Sequence, residues 1–439
     1  MRGTEKTPGF WDFRDFWTLL RIASLLALAT LAIARAQAPA QNPASPPEQP
    51  TFHIGVDAVR LDAVVTDKDG NLVTDLTADE FEVYEDRRLQ KVVLATFVPV
   101  ADGQTRVIPA ASPSLVPQPS APAESAAPQG SPVRRPAQRS IVILVDDLGL
   151  SRESITPMRE ALHQFIDQGL QPTDLASIWR LGMNGALPQP LTTARKPLHS
   201  SVDQIEWTVL SRFGVEPFVA LEGRGFTGSS VTGGGSDPSA GTYNAGGRAI
   251  HSALATLRAV DQTIRAMRTF PGRKAIALMT EGFFFHDGSN EVDPRIQAAL
   301  DGLWDQASRA GVVVYTLEAR GLQTGMLLAS DNTSKLGEAA VRGAFSTRHG
   351  ELTETQDSLD LVARETGGFA VMNTNDLAAG LQRIVNDVRG FYILGYTPDA
   401  TTFAKKSGAI QFHKIAVKVK RPGLKVRQHQ RFRGEPDPG

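Results

Sequence analysis

The stretch RSIVILVDDLGLS, Arg139–Ser151, decides the fold of this 439-residue chain. It is a run of aliphatic and β-branched residues that ends in two acids and a hydroxyl. Such a continuous apolar run is typical of a parallel strand covered on both faces. A second run, GRKAIALMTEG (Gly272–Gly282), has the same form and ends in hydroxyl, acid and glycine. Two parallel strands with oxygen-bearing residues at their carboxyl ends predict a metal-dependent binding face.

Helical and strand patterns alternate from Arg139 to about residue 390. The first strand is followed by SRESITPMREALHQFIDQGL, an amphipathic helix with Ser151 placed to cap it, and the series closes with the helix DLAAGLQRIVNDVR. This alternation predicts an α/β domain with a Rossmann-like, doubly wound, mostly parallel sheet.

The segments on either side of this domain are β-rich and opposite in charge. Residues 51–99 hold ten acids and five bases, whereas Ala404–Arg433 holds ten Lys and Arg residues and no acid. Both segments show strand alternation, so we expect them to pair into one sandwich-like β appendage. Asp67, Asp69 and Asn71 have the spacing of a calcium loop, but no bidentate Glu completes it, and an Asp-Gly hairpin turn explains the same residues.

The N-terminus predicts export. Basic residues precede an apolar run, Ile22–Ala34, and the small-residue motif Ala-Arg-Ala (Ala34–Ala36) follows it, which is the order of a secretory signal. Thirteen residues are few for a bilayer span, so a retained anchor is the alternative. The chain has no cysteine and a formal net charge of −1, which argues against lipidation, disulfides and general nucleic-acid binding.

We therefore expect a periplasmic or extracellular protein, mature from about Gln37, with no stable membrane span after cleavage. The predicted organisation is a signal peptide (1–36), a linker (37–50), an N-terminal β module (51–100), a Pro/Ala-rich disordered linker (101–138), the α/β domain (139–390, with a Gly-rich insertion at 223–247) and a C-terminal β segment (391–433).

Several motifs, taken in order, resemble the von Willebrand factor A domain, and most closely the VWFA-related, acidobacterial-type family of exported bacterial proteins. The resemblance covers about residues 52–432, and it depends on VVTDKDGNLVTDLTADEFEVYED, IVILVDD, PGRKAIALMTEGF, GVVVYTLEARGL, LDLVARETGGFAV, FYILGYTP and VKVKRPGLKVR. It implies an A-domain fold with a β-rich appendage, and it implies binding of a protein or surface ligand instead of catalysis.

The resemblance also implies a magnesium site, which here departs from the family pattern. The family uses an Asp-x-Ser-x-Ser loop, a Thr and a further Asp; matched to this chain, the ligands are Asp147, Ser151, Thr242 and Glu281, with Thr232 as the second candidate for the Thr. Gly149 stands in place of the middle Ser, and Glu281 is longer than the Asp. The match therefore describes a degenerate site with weakened Mg²⁺ affinity.

Asp146 adjoins the strand end and could supply a replacement oxygen for the metal, although strand alternation predicts that it points to the other side. Two alternatives to a metal site follow from the same residues. Ser151 alone can serve as a helix cap, with Asp147 accepting backbone N–H groups and Glu281 solvated. A hydrolase with Ser151 and His286 or His251 lacks a nucleophile-elbow pattern.

The glycine-rich sequence GRGFTG at Gly223–Gly228 is followed by SSVTGGGSDP, which cannot open a nucleotide-binding helix. The sequence thus predicts a binding and adhesion module that is not an enzyme. The alternative is a structural component of the cell envelope with a vestigial metal site.

Overall fold

We describe the protein from a computed structural model. The description covers residues 59–100, 139–182, 190–207, 238–270, 272–286, 291–323, 331, 333–334, 337–398 and 412–433, with side chains between 238 and 248 given for residue 247 alone. All of these belong to one compact unit, Val56–Gly439. The predicted signal peptide, both predicted linkers and most of the predicted Gly-rich insertion lie outside the described residues.

The α/β domain is built on a five-stranded parallel sheet. Its strands are β4 (Arg139–Val145), β5 (Leu175–Arg180), β6 (Arg273–Thr280), β7 (Val312–Glu318) and β8 (Ala370–Val371), in the order β5-β4-β6-β7-β8. Every ladder is parallel. All seven residues of β4 are buried, as its continuous apolar run predicts for a strand covered on both faces.

Helices cover both faces of this sheet. They are α1 (Arg152–Gln164), α2 (Arg195–Asp203), α3 (Pro238–Met267), α4 (Pro294–Ala310), α5 (Glu338–Glu365) and α6 (Leu377–Asp387). Alternate residues of β4 belong to two different cores. Ile141 and Ile143 pack with α1, α2 and α6, while Val142 and Leu144 pack with α3, α4 and α5. The predicted doubly wound α/β architecture is therefore confirmed at the level of layers and strand direction.

Helix α3 begins earlier than the sequence pattern predicts. The expected start was Ala249, after a glycine-rich loop, but the helix begins at Pro238. Proline is favoured at the first helical position because its fixed φ suits a helix and its missing N–H needs no partner there. Thr242 therefore lies within the helix and not in a loop before it.

The remaining strands form one antiparallel sheet, which we call the β-unit. It contains β1 (Val59–Thr66), β2 (Phe81–Glu85), β3 (Arg88–Pro99), β9 (Gly390–Thr397), β10 (Phe412–Val419), β11 (Lys425–Gln428) and β12 (Arg431–Arg433). The order β11-β1-β9-β3-β2-β10-β12 interleaves strands from the two ends of the chain. The expected pairing of the two segments is thus present.

The shape of the β-unit differs from the expected sandwich. Its edge strands β11 and β12 are joined by two residues, His429 and Gln430, so the two edges of the sheet lie close together. Gln430 also links to β10, since its carbonyl accepts from Ile415 N at 2.8 Å. The sheet is therefore curled almost into a barrel. Closure of this kind protects sheet edges that two packed open sheets would leave exposed.

Opposite charges meet where the two chain segments pair. The Arg421 guanidinium contacts Asp75 and Glu80, each at 2.9 Å. The charge imbalance between the segments is therefore balanced locally inside the β-unit. These groups are partly exposed, so solvent screening keeps the contribution of each ion pair to stability small.

The Asp67 turn has the geometry of a side-chain-stabilised hairpin turn. Asp67 Oδ1 accepts from the backbone N–H groups of Asp69 (2.9 Å) and Asn71 (2.8 Å), and Oδ2 accepts from the Asn71 side chain at 3.0 Å. These bonds hold the pKa of Asp67 below its usual value. The turn interpretation accounts for both carboxylate oxygens.

The β-unit contacts the α/β domain at the amino ends of the parallel strands. Arg273, the first residue of β6, lies 3.2 Å from Asp62 of β1, and its guanidinium stacks 4.7 Å from the Phe391 ring centroid. Arg427 of β11 forms an ion pair with Asp387 at the end of α6. The carboxyl ends of the parallel strands thus lie at the opposite edge of that sheet.

In the described part of the chain, no helix is both long and apolar enough to cross a membrane.

Candidate binding face at the carboxyl ends of the parallel strands

The polar side chains that the sequence singled out lie where the strand order reverses. From β4 the chain moves to β5 on one side and later to β6 on the other, so β4 and β6 flank a topological switch point. Ligands of open α/β sheets bind at the carboxyl edge at such points. Asp146 and Asp147 directly follow β4, and Glu281 follows β6. We call this edge the strand-end face.

Asp146 is the centre of a buried hydrogen-bonded cluster. Its Oδ2 lies 2.8 Å from the Thr280 hydroxyl and 3.4 Å from that of Thr256 in α3, and its Oδ1 accepts from Gly149 N at 3.1 Å. Only 4% of Asp146 is exposed. Burial, reinforced by the charge of Asp147, raises the pKa of Asp146 to about 6, although the bond from Thr280 opposes the shift.

Strand alternation predicted that Asp146 points to the other side of the sheet from Asp147, and the contacts of Asp146 agree with this. Val142 and Leu144 of β4 pack with α3, α4 and α5, and Asp146 contacts Thr256 of α3 on the same face. Asp146 N also continues the pairing of β4 with β6, because it donates to the Met279 carbonyl at 2.9 Å. The backbone turns only after this residue, where Gly149 N donates to the Asp146 carbonyl at 3.0 Å.

Glu281 accepts from the start of α1. Its Oε1 lies 2.7 Å from Ser151 N, 2.6 Å from the Ser151 hydroxyl and 2.6 Å from the Ser154 hydroxyl. Glu281 is only 3% exposed, so it is not the solvated loop acid of the helix-cap interpretation. Ser151 is at the N-cap position, but its hydroxyl makes no capping bond to the helix backbone. The carboxylate of Glu281 instead accepts the N–H of the N-cap residue itself, and a negative charge is favourable at a helix start.

Asp147 faces the other neighbouring strand. Its Oδ1 accepts from Gly182 N, just beyond β5, at 2.7 Å. Burial raises the pKa of Asp147, while the bond from Gly182 and the charge of Arg180 act in the opposite direction. The helix-cap interpretation had Asp147 accepting from the start of α1, whereas its described backbone partner lies after β5.

Gly149 has a steric role. A Cβ atom at this position would lie 2.6 Å from Asp146 Oδ2 and 3.0 Å from its Cγ. Real Cβ atoms essentially never approach a neighbour so closely. The carboxylate of Asp146 therefore occupies the space that a serine at position 149 would need, which accounts for the missing middle hydroxyl.

The structure brings together two of the four predicted metal ligands, Ser151 and Glu281. Asp147 has its described bond on the β5 side, and the side chain of Thr242 and all of Thr232 lie outside the described residues. The carboxylates of Asp146 and Glu281 already accept several hydrogen bonds each. The described residues therefore do not test the predicted four-ligand set, and Mg²⁺ binding at this face stays a prediction.

Sequence reasoning missed Thr256 and Ser154. Thr256 is a lone hydroxyl in the apolar helical pattern ALATLRAV, and it is 2% exposed. Ser154 follows Ser151 by three residues, a spacing that places both on one side of a helix start. Each is a polar residue at a helical position that faces the core, and this is the feature of the sequence that could have revealed both.

The aromatic run after β6 is divided between core and loop. Phe283 and Phe285 are buried in the core beside α4 and α5, and their ring centroids lie 5.4 Å apart. His286 is half-buried, with Nδ1 2.8 Å from Glu354 Oε1 of α5. The run is thus mainly structural, and the bond from His286 ties the loop to α5.

Comparison with known proteins does not assign the chain to a family. No family model matches the chain, and no curated protein matches it. One solved structure with similarity is an aerotolerance-related membrane protein from Bacteroides fragilis NCTC 9343, determined with multiple mutations to serines. It is 13% identical, with a TM-score of 0.25, over 57% of this chain and 98% of that one. Similarity at this level carries no argument about function. The protein is an α/β domain joined to an antiparallel, nearly closed β-unit.

Proposed function

We propose that this chain is an exported binding module of the von Willebrand factor A type, which recognises a protein or surface ligand at its strand-end face. One observation carries the proposal: the two strands that flank the switch point, β4 and β6, both end in buried acids and hydroxyls. Polar groups concentrated at that point of a doubly wound sheet are the usual basis of a ligand site. Burying carboxylates costs stability, so their retention there favours a functional role.

Two exposed apolar side chains border the strand-end face. Leu148 lies in the loop after β4 and is 37% exposed, and Leu322 follows β7 and is 56% exposed. Protein-binding patches typically combine exposed apolar side chains with polar groups that are shielded from water. The partner that suits this surface is a protein with an apolar contact region.

Binding, and not catalysis, is proposed because of the partners of Ser151. The described contacts of its hydroxyl are Glu281 and Ser154, both already committed to the start of α1. Among the described contacts of this hydroxyl there is no histidine, which is the usual base of a hydrolytic serine, and Glu281 Oε1 already accepts from Ser151 N and Ser154 as well. Inactivity of the purified chain on ester, peptide and phosphate substrates would agree with this proposal, and turnover abolished by Ser151→Ala would overturn it.

A structural role in the cell envelope is the second candidate. The observation in its favour is the exposed apolar surface of the β-unit, which includes Leu89 (63%), Val93 (51%) and Leu94 (43%) of β3. These neighbouring outward-facing residues would make the contacts if the strand-end face were vestigial.

A pull-down from the organism's own envelope fraction separates the two candidates. The bait is the chain itself, compared with Leu148→Asp/Leu322→Asp at the strand-end face and with Leu89→Asp/Val93→Asp at the β-unit. Loss of the captured partner only in the first variant supports the binding module, and loss only in the second supports the scaffold. Capture that both variants retain would contradict both.

The metal and export components need separate measurements. If the strand-end face binds metal, millimolar Mg²⁺ or Mn²⁺ should raise the thermal unfolding midpoint, and Asp147→Ala should abolish this increase. An unchanged midpoint would contradict metal binding at this face. Cell fractionation with N-terminal sequencing of the mature protein tests export and cleavage near Gln37.

A further inference from the structure

A second polar cluster lies in the β-unit, at the hairpin between β2 and β3. We call it the rim site, and it consists of Glu85, Asp86 and His413. His413 Nδ1 lies 3.2 Å from Glu85 Oε1 and 2.9 Å from Asp86 Oδ2. The three ligand atoms all lie within 4.8 Å of one another. Within the described residues, this is the group of three acidic or histidine side chains whose geometry could hold a metal ion.

The pairing of two strands creates this convergence. Strand β2 pairs antiparallel with β10, with Ile415 opposite Glu85, and Asp86 N donates to the Lys414 carbonyl at 2.9 Å. His413 is therefore held beside the end of β2 by main-chain hydrogen bonds. The contacts join residues more than 320 positions apart, so the sequence alone could not reveal them.

The outer oxygens of both carboxylates are also held in place. Glu85 Oε2 accepts from the Tyr396 hydroxyl at 2.9 Å, and Asp86 Oδ1 accepts from Lys414 N at 2.9 Å. These bonds leave Oε1 and Oδ2 directed toward His413 Nδ1. Fixing the non-coordinating oxygen of a carboxylate is how outer-shell partners orient metal ligands.

Charge and spacing both suit a divalent cation. Two carboxylates meet one imidazole, which carries at most one positive charge, so the cluster has room for further positive charge. Glu85 and His413 are only 5% and 7% exposed, so water screens these charges little. The 2.9 and 3.2 Å separations are slightly shorter than the roughly 3.3–3.6 Å between ligands that lie about 2.0–2.2 Å from a tetrahedral ion, so a small outward movement of the side chains would admit a metal. One imidazole with two carboxylates suits first-row transition ions better than Ca²⁺ or Mg²⁺.

One side of the rim site is open. Asp86 lines a pocket of about 760 Å³ together with Tyr84, Arg87, Lys414, Ala416 and Lys418. An ion held by three protein ligands would keep coordination positions toward this pocket, and its three basic residues would favour an anion there.

We propose that Glu85, Asp86 and His413 bind a divalent first-row transition-metal ion, with the remaining coordination positions facing the basic pocket. The site is in the β-unit and involves none of the residues of the strand-end face. Its failure would leave the proposed binding function untouched.

Zn²⁺ titration of the full chain by calorimetry tests the proposal. The protein carries no polyhistidine tag and is stripped with chelator beforehand. A second pair of histidines needs control, because His163 Nδ1 and His199 Nδ1 lie 2.7 Å apart. All measurements therefore use a His163→Gln background. We expect one equivalent of Zn²⁺ to bind saturably, and Mn²⁺ to compete in electron paramagnetic resonance.

Variants identify the ligands. His413→Gln should abolish the one-equivalent binding, and Tyr396→Phe should weaken it about 10–100-fold, because Tyr396 acts only through Glu85. His251→Gln, an exposed histidine of α3, is the matched control and should bind like the parent. The thermal midpoint without metal verifies folding. If His413→Gln fails to fold, Asp86→Asn, whose side chain is 52% exposed, takes its place. Absence of saturable Zn²⁺ binding, or affinity that none of these ligand changes lowers, would overturn the proposal.

Discussion

Replacing Asp146 with Asn should stabilise the protein at neutral pH and not at acidic pH. The pKa of Asp146 is raised from 3.8 to about 6 by its burial, so the folded chain holds this proton at pH values where the unfolded chain has lost it. The free energy of unfolding therefore falls as the pH rises from about 4 to about 6. An asparagine is neutral at every pH and avoids this loss.

The shift in pKa sets the size of the effect. One pKa unit corresponds to about 1.4 kcal/mol, so a shift from 3.8 to about 6 gives an upper value of about 3 kcal/mol above pH 6. The asparagine side chain has nearly the same shape, and the hydroxyls of Thr280 and Thr256 can each turn to accept from its amide. We thus expect the difference between variant and parent to grow by up to about 3 kcal/mol between pH 4 and pH 7.

Urea unfolding monitored by tryptophan fluorescence at several pH values measures this difference. Asp293→Asn is a control of opposite sign, since hydrogen bonds from the Arg295 side chain lower the pKa of Asp293 to about 2. The parent should gain stability over that variant as the pH rises through about 2 to 4 and keep it above. A difference between Asp146→Asn and the parent that stays constant with pH would refute the reasoning about burial of Asp146.

Three further changes have definite expected outcomes. Gly149→Ser places a Cβ 2.6 Å from Asp146 Oδ2 and should lower stability by about 1–3 kcal/mol, and an equal cost in an Asp146→Gly background would contradict the proposed clash. Arg139→Met leaves the buried carboxylate of Asp174, bonded to Arg139 at 2.7 and 2.5 Å, without its counter-charge, so urea unfolding should show a loss of about 3–5 kcal/mol that Asp174→Leu largely restores. A loss under about 1 kcal/mol would argue against this. Ser151→Ala removes one hydroxyl donor to Glu281 and should lower the free energy of unfolding by about 1.5–3 kcal/mol, measured by thermal or urea unfolding. Ser200→Ala is the control, because the Ser200 hydroxyl donates only to a helix carbonyl at the surface and its loss should change stability little.

The sequence predicted the elements whose signals are local and periodic. The apolar run of β4, the amphipathic pattern of α1 and the alternation of strands with helices all follow from side-chain periodicity, and the layers of the α/β domain agree with them. The pairing of the acidic and basic segments was also predictable, since complementary charges favour neighbouring strands.

The parts that were not predicted depend on tertiary contacts. The partners of the Asp146 carboxylate, Thr280 of another strand and Thr256 of α3, depend on how strands and helices pack, which periodicity does not describe. The β-unit was expected as a sandwich because strand patterns do not encode closure, which here requires the short connection between β11 and β12. The early start of α3 at Pro238 was hidden by glycines that helix propensity disfavours.

The order of strands in the β-unit has a consequence for how the chain folds. Leu76 N donates to the Tyr392 hydroxyl across 316 residues, and β9 lies between β1 and β3 in the sheet. The α/β domain is thus an insertion within the β-unit, and its own strands can pair before the C-terminal strands are made. The β-unit cannot close until the strands between Gly390 and Arg433 have been synthesised and, if the protein is exported, translocated. Strands β2 and β3 can pair with each other at once, but both partners of β1 are C-terminal strands. Contacts of such long range form slowly, so β1 stays unpaired in the meantime, and an unpaired strand of this kind is a natural target for a chaperone.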